Sequence, residues 1–180
     1  MTTTIPSAAD WAAFAGAPES TARALVISAD DGERVRAYGN EILFKLGTDE
    51  TRGAFSLGLA TVSSSESAVP PHVHDGEDEM FIIVEGTYRV FTNGAWNDCG
   101  PGSVVYLPRG VMHTFHVTGG SDGKHWVLNT SSAFRTYYTR VAELFAAGWP
   151  DPARLGALGA EFGMRVVRPE GDIAEALTAR

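Results

Sequence analysis

Between residues 41 and 130 the apolar positions fall in short runs rich in β-branched and aromatic side chains: Ile42–Leu46, Ala54–Val62, Met80–Val84, Tyr88–Phe91, Ser103–Leu107, Met112–Val117 and Trp126–Leu128. Gly, Asn, Asp, Ser and Pro separate them at the spacing of an all-β barrel or sandwich. Asn93-Gly94 marks a hairpin, because both residues tolerate the positive φ of a type I′ turn. After residue 131 the period changes. Phe134, Tyr138, Val141 and Phe145 recur at helical spacing, with Ser131 or Ser132 as N-cap and Gly148 as the stop. Asp151-Pro152 opens a second short helix in cap-then-proline order, with Leu155, Leu158 and Phe162 on one face. A third, polar helix begins near Asp172. Residues 1–40 read as an N-terminal arm with a short helix and one or two strands, turning at Asp30-Asp31-Gly32 after the apolar run Ala24–Ile27. The expectation is one all-β domain: an arm over 1–40, a β-barrel over 41–130, and a C-terminal helical extension over 131–180 that covers an open face or edge.

Composition narrows the class of protein. A chain of 180 residues buries a sizeable core. A hydrophobic fraction of 44% with 20% charged residues argues against disorder and against a membrane protein. The net charge of -8 repels phosphate backbones, so nucleic acid is not an expected partner. The single cysteine, Cys99, excludes an intrachain disulfide. The apolar runs are too short to span a bilayer, and the N-terminus lacks signal-peptide character, which makes a cytoplasmic location the expectation.

The candidate chemistry lies in Pro71-His72-Val73-His74-Asp75-Gly76-Glu77-Asp78-Glu79. Residues two apart on a strand project from one face, so His72 and His74 reach one point in space. The four residues after His74 are a loop by composition, which lets Glu79, at the start of the next strand, fold back to that point. Imidazoles and a carboxylate together suit a mid-row divalent ion. A third imidazole, His113, follows Gly102 and Pro108-Arg109-Gly110, whose glycines permit tight turns. His116 lies an odd number of residues from His113 and faces the other way. His125 follows a polar turn and is expected near the surface at a strand start. Cys99 falls in the turn Asn97–Pro101, and Asp75, Glu77 and Asp78 read as a solvated loop.

In these two blocks the chain resembles the cupin superfamily. His-x-His, four residues, Glu, six residues, Gly matches its first motif, with Glu66 where the opening glycine usually stands. Gly, five residues, Pro-x-Gly, two residues, His matches its second, with Val117 at the usual terminal Asn. The resemblance implies a single cupin jelly-roll (double-stranded β-helix) barrel. It further implies a metal held by His72, His74, Glu79 and His113: one divalent transition metal, whether iron, nickel, cobalt, manganese or zinc.

Alternation on the strands gives the site surroundings. Phe81 and Ile83 share the face of Glu79, and Phe115 and Val117 share that of His113, so an apolar pocket for a small organic substrate is expected. Met80, Ile82 and Val84 make the opposite face apolar too, which calls for cover by the C-terminal helices or by a second subunit in a homodimer. The spacing before Glu79, the segment Ala133–Tyr138 and the block Leu158–Gly163 resemble bacterial single-cupin quercetinases (flavonol dioxygenases). That resemblance implies oxidation of a phenolic or enolic molecule by dioxygen, with Glu79 as the catalytic base. A non-oxidative cyclase, dehydratase or isomerase is the alternative, and a non-catalytic binding module is the third.

Overall fold

The computed structural model describes residues 23–67, 69–168 and 170–178. Its elements run β1 (Glu33–Ala37), β2 (Asn40–Leu46), α1 (Thr48–Thr51), β3 (Ser56–Val62), β4 (His72–His74), β5 (Glu79–Glu85), β6 (Thr87–Thr92), β7 (Ala95–Cys99), β8 (Val104–Leu107), β9 (His113–Thr118), β10 (Gly123–Asn129), α2 (Ala133–Phe145), α3 (Pro152–Glu161), β11 (Met164–Val166) and α4 (Gly171–Thr178). All strand pairs are antiparallel. They make a six-stranded sheet in the order β1-β2-β3-β10-β5-β8 and a five-stranded sheet in the order β11-β4-β9-β6-β7. The strand order jumps along the sequence in both sheets, as in a jelly roll, and the two inner faces share one core.

Period-two alternation decides what enters that core. On β3 every second residue from Ser56 to Val62 is buried, and on β10 the same holds from Gly123 to Asn129. On β5, Glu79, Phe81 and Ile83 are buried while Ile82 and Val84 are exposed. The Asn93-Gly94 hairpin joins β6 to β7 as expected, with φ of 54° and 78° at its two corner residues. Both helix starts also follow the sequence signals. The Ser131 hydroxyl accepts from the Ala133 amide at the start of α2, and the Asp151 carboxylate accepts from the Ala153 amide at the start of α3.

The secondary structure departs from the sequence reading in places. Of the arm over residues 1–40, residues 1–22 lie outside the described residues; no helix forms over 23–40, Ala24–Ile27 form no strand, and Val26 is exposed. The strand the arm does supply is β1, on which the exposed Glu33, Arg34 and Arg36 stand beside the buried Val35 and Ala37. Cys99 ends β7 and is half-buried, because Trp96 and the polar Asn97 and Asp98 complete a hairpin partner for β6. The C-terminal segment is not wholly helical: β11 adds a strand beside β4.

The helices cover the barrel at one side. Phe134, Tyr137, Tyr138 and Val141 of α2 are buried, α2 packs on β1, and Phe134 and Tyr138 meet Phe44 at about 6.1 Å between rings. Leu155 and Leu158 of α3 are buried, and α3 packs on β11. The outer face of β5 is left uncovered by them, with Ile82, Val84, Val104 and Tyr106 exposed. No helix among the described residues is long and apolar enough to cross a membrane.

Candidate metal centre

The cluster forms where β4, β5 and β9 converge. His72 and His74 come from β4, whose period places both on one face; His72 lies directly across from His113 at the start of β9. Glu79 opens β5. One ligand atom from each of His72, His74, Glu79 and His113 lies within 4.8 Å of the others, and all four residues are buried. Donors held by one ion at roughly 2.1 Å sit at most about 4.2 Å apart. A contraction of about 0.6 Å or less, within ordinary side-chain motion, therefore brings this set onto an ion.

The surroundings fix which ring nitrogens face the centre. His72 Nδ1 lies 2.9 Å from the Pro70 carbonyl and His113 Nδ1 lies 3.0 Å from the Val111 carbonyl. His74 Nδ1 lies 2.8 Å from Glu77 Oε1. Each of these oxygens accepts, so each Nδ1 carries a proton, and the Nε2 lone pairs are left for the centre. His74 Nε2 is buried with no hydrogen-bond partner among the described residues, and its distance to Glu79 Oε2 is 3.8 Å, too long for a bond. A buried, unpaired acceptor nitrogen is costly in a folded protein and is what a cation would satisfy.

Charge points the same way. Burial opposes ionisation of Glu79, but the imidazoles of His74 and His113 outweigh it and hold this carboxyl far below the usual range. Burial likewise opposes a charge on His74, yet the carboxylates of Glu79 and Glu77 raise its pKa. Burial, then the neighbouring imidazoles, push His72 well below its usual value. A buried carboxylate thus stands among imidazole nitrogens, and a divalent ion held there would give its charge a partner. The residues fit a metal.

Glu77 corrects the sequence reading. It is buried rather than solvated, and it orients His74. Asn129, wholly buried on β10, donates through Nδ2 to Glu79 Oε1 at 3.2 Å and to Glu77 Oε1 at 3.4 Å. Neither role had a sequence signal, since an Asp-Gly-Glu-Asp loop and a strand-end Asn both read as exposed. The other two loop acids do face solvent: Asp75 pairs with Arg165, and the Arg109 guanidinium holds the Asp78 carboxyl down at about 2.

A cavity adjoins the cluster. His72 and Glu79 form part of its wall, with Phe81, Phe115, Tyr137 and His125. Ile83 and Val117, expected in the lining, are buried in the core and do not line it. His125, expected near the surface, is buried on β10, with its ring 4.5 Å from Phe81. β10 begins at Gly123, inside what read as turn, so His125 is already within the strand and faces inward. Burial pushes its pKa down to about 4, so it is neutral at pH 7. His116 stays out of the cluster, as strand parity requires, and meets Trp96 edge to face at 4.8 Å.

Residues 58–132 match the cupin domain family. Over that stretch the chain is similar to cupin domains. All four clustered residues lie within the matched stretch. Among curated proteins, an uncharacterised protein of Streptomyces coelicolor is 29% identical over 86 residues, covering 48% of this chain and 75% of that protein. Homogentisate 1,2-dioxygenase of Rhodopseudomonas palustris is 38% identical over 60 residues, or 33% of this chain; the match spans only 13% of that enzyme. Among solved structures, the polyketide cyclase RemF from Streptomyces resistomycificus aligns with a TM-score of 0.55 at 20% identity, over 87% of this chain and 94% of that one. A predicted oxalate decarboxylase from Thermotoga maritima aligns with a TM-score of 0.52 at 21% identity, over 59% and 99%. At such identities the structural likeness is one of fold, so this chain's chemistry has to come from its site.

Proposed function

We propose that this cupin is a metal-dependent enzyme acting on a phenolic or enolic small molecule, and that its reaction is a dioxygenation. The observation that carries the reading is the opening of a four-residue ligand cluster, through His72 and Glu79, onto a cavity walled by aromatic side chains. A largely apolar, aromatic wall favours a flat organic ligand, and a polar group of that ligand is drawn to the ligand cluster. His72, His74, Glu79 and His113 would hold a divalent ion, which supplies Lewis acidity toward a hydroxyl group beside it.

The chain's own residues account for the proton. Glu79 is ionised and lines the cavity, so it is the group placed to accept a proton from a bound hydroxyl. Its depressed pKa makes it a weak base, so the hydroxyl must first be acidified. Asn129 steadies Oε1 while Oε2 lies 3.1 Å from His113 Nε2. Phe81 and Phe115, 5.2 Å apart and edge to face, exclude water from the ring-binding region.

The stretch shared with homogentisate 1,2-dioxygenase supports the oxidative choice. A non-oxidative cyclase, dehydratase or isomerase is the second reading, favoured by a ligand set that suits redox-inert zinc as well as iron and in keeping with the fold shared with the cyclase RemF. An oxygen electrode with a panel of catechols, enols and flavonols, on protein loaded in turn with iron, nickel, cobalt, manganese and zinc, separates the two. Oxygen uptake matched to substrate loss is expected; turnover that persists without oxygen overturns the dioxygenase reading. Glu79→Gln is expected to lose turnover, and a variant that kept both its metal and full turnover would remove Glu79 from the mechanism.

A further inference from the structure

The metal cluster leaves His125 unused on the cavity wall, with Tyr88 behind it. His125 lies among Phe81, Phe115 and Tyr88, with ring separations of 4.5, 5.6 and 5.3 Å. Its Nδ1 is 3.0 Å from the Tyr88 hydroxyl, and both residues are buried. We infer that His125, its tautomer fixed by Tyr88, is a substrate-binding residue that donates a hydrogen bond from Nε2 to a second oxygen of the substrate, remote from the oxygen served by Glu79. The inference rests on the phenolic or enolic reading above.

Proton accounting gives the direction of the bond. Burial raises the Tyr88 phenol pKa, so it keeps its proton, and His125 Nδ1 is the partner the structure gives it. The hydroxyl therefore donates and Nδ1 accepts, because the reverse would strand the phenolic proton in an aromatic wall. A neutral imidazole that accepts at Nδ1 carries its proton on Nε2. His125 lines the same cavity as His72 and Glu79, so this N–H is the donor it offers a ligand there.

A filling role does not explain the pair. Two polar groups sunk in an aromatic wall gain little over two phenylalanines of the same shape. Space is nevertheless reserved for them: a Cβ on Gly123 would lie 2.7 Å from the Tyr88 hydroxyl oxygen. Register then sets the ligand's length. Asn129, which bonds Glu79, and His125 lie four residues apart on the same face of β10, about 13 Å of strand. Phe81 stands between the two rows, facing Val127. A ligand that reaches both ends is a flat aromatic of about two fused rings with an oxygen at each end.

The test uses zinc-loaded protein and two probes, 2-naphthol and 2,6-dihydroxynaphthalene, with affinity measured by calorimetry. The diol is expected to bind about five- to tenfold more tightly than 2-naphthol, the worth of one buried neutral hydrogen bond. That ratio should fall to about one in His125→Phe and be partly kept in His125→Gln, whose amide nitrogen reaches the place of Nε2, with zinc content unchanged in both. Long-range proton–nitrogen NMR of the unsubstituted protein should show the His125 proton on Nε2, with its signal shifting on addition of the diol. This second measurement requires no variant to fold. Equal binding of both probes, a ratio that survives His125→Phe, or a proton on Nδ1 overturns the role of His125. Failure of both probes to bind overturns the phenolic reading itself, and the inference with it.

Discussion

At the scale of single residues, the centre depends on groups that never touch the ion site. Glu77 holds His74 by its Nδ1, and such outer partners typically contribute ten- to a hundredfold to metal affinity. Glu77→Ala is therefore expected to weaken metal binding by about one to two orders of magnitude, read by competition with a chelator. Asp75→Ala, two positions away and paired at the surface with Arg165, should leave affinity unchanged. The pH dependence follows from the same contacts. His74 has its pKa raised while His72 has its pKa pushed well down, so on falling pH the proton that displaces the metal goes to His74 and not to His72. Affinity is expected to fall with falling pH, beginning above the ordinary imidazole range, and to begin falling at lower pH in Glu77→Ala, where His74 has lost one of the carboxylates that raise its pKa.

At the scale of elements, β4 is the vulnerable piece. It has three residues, and its pairing with β9 is the single register pair His72 with His113. Its other edge is held by β11 along its whole length, Met164 to Val166 against His74 to His72. Ending the chain at Gly163 is thus expected to loosen both β4 ligands, lowering metal affinity and the melting temperature together, whereas removal of α4 alone should spare the metal. The hairpin between β6 and β7 supplies a contrast far from the site. Gly94 has a φ of 78°, so Gly94→Val should cost about 1–2 kcal/mol in urea unfolding without changing metal content.

At the scale of the whole molecule, metal binding and folding are linked, because the ligands come from three strands of two sheets. Metal at a thousand times its Kd should stabilise the chain by about 4 kcal/mol, a rise of roughly 8–16 °C in a chain of this size. Calorimetric scans with metal and with chelator check this. The outer face of β5 and β8 bears on assembly. Ile82 pairs with Val104 and Met80 with Tyr106 across these strands, and Ile82, Val104 and Tyr106 are exposed beside β8, the outermost strand of its sheet among the described residues. A twofold contact at this edge would cover that face, so a dimer mass is expected in light scattering, reduced to the monomer by Val104→Glu.

What the sequence determined by itself is what local rules control. Period two placed Glu79 and Phe81 inward on β5; period 3.6 and the two caps placed α2 and α3; Asn93-Gly94 placed a hairpin; and two spaced motifs singled out His72, His74, Glu79 and His113. Tertiary structure decided the rest, because it turned on partners distant in the chain. Glu77 is buried since His74 and Asn129 give its charge hydrogen bonds. β11 is a strand since β4 offers it an edge. Polar β1 and β7 are strands since β2 and β6 pair with their backbones. His125 reads as a surface residue by its neighbours, and it enters the cavity because Tyr88, 37 positions earlier, receives it.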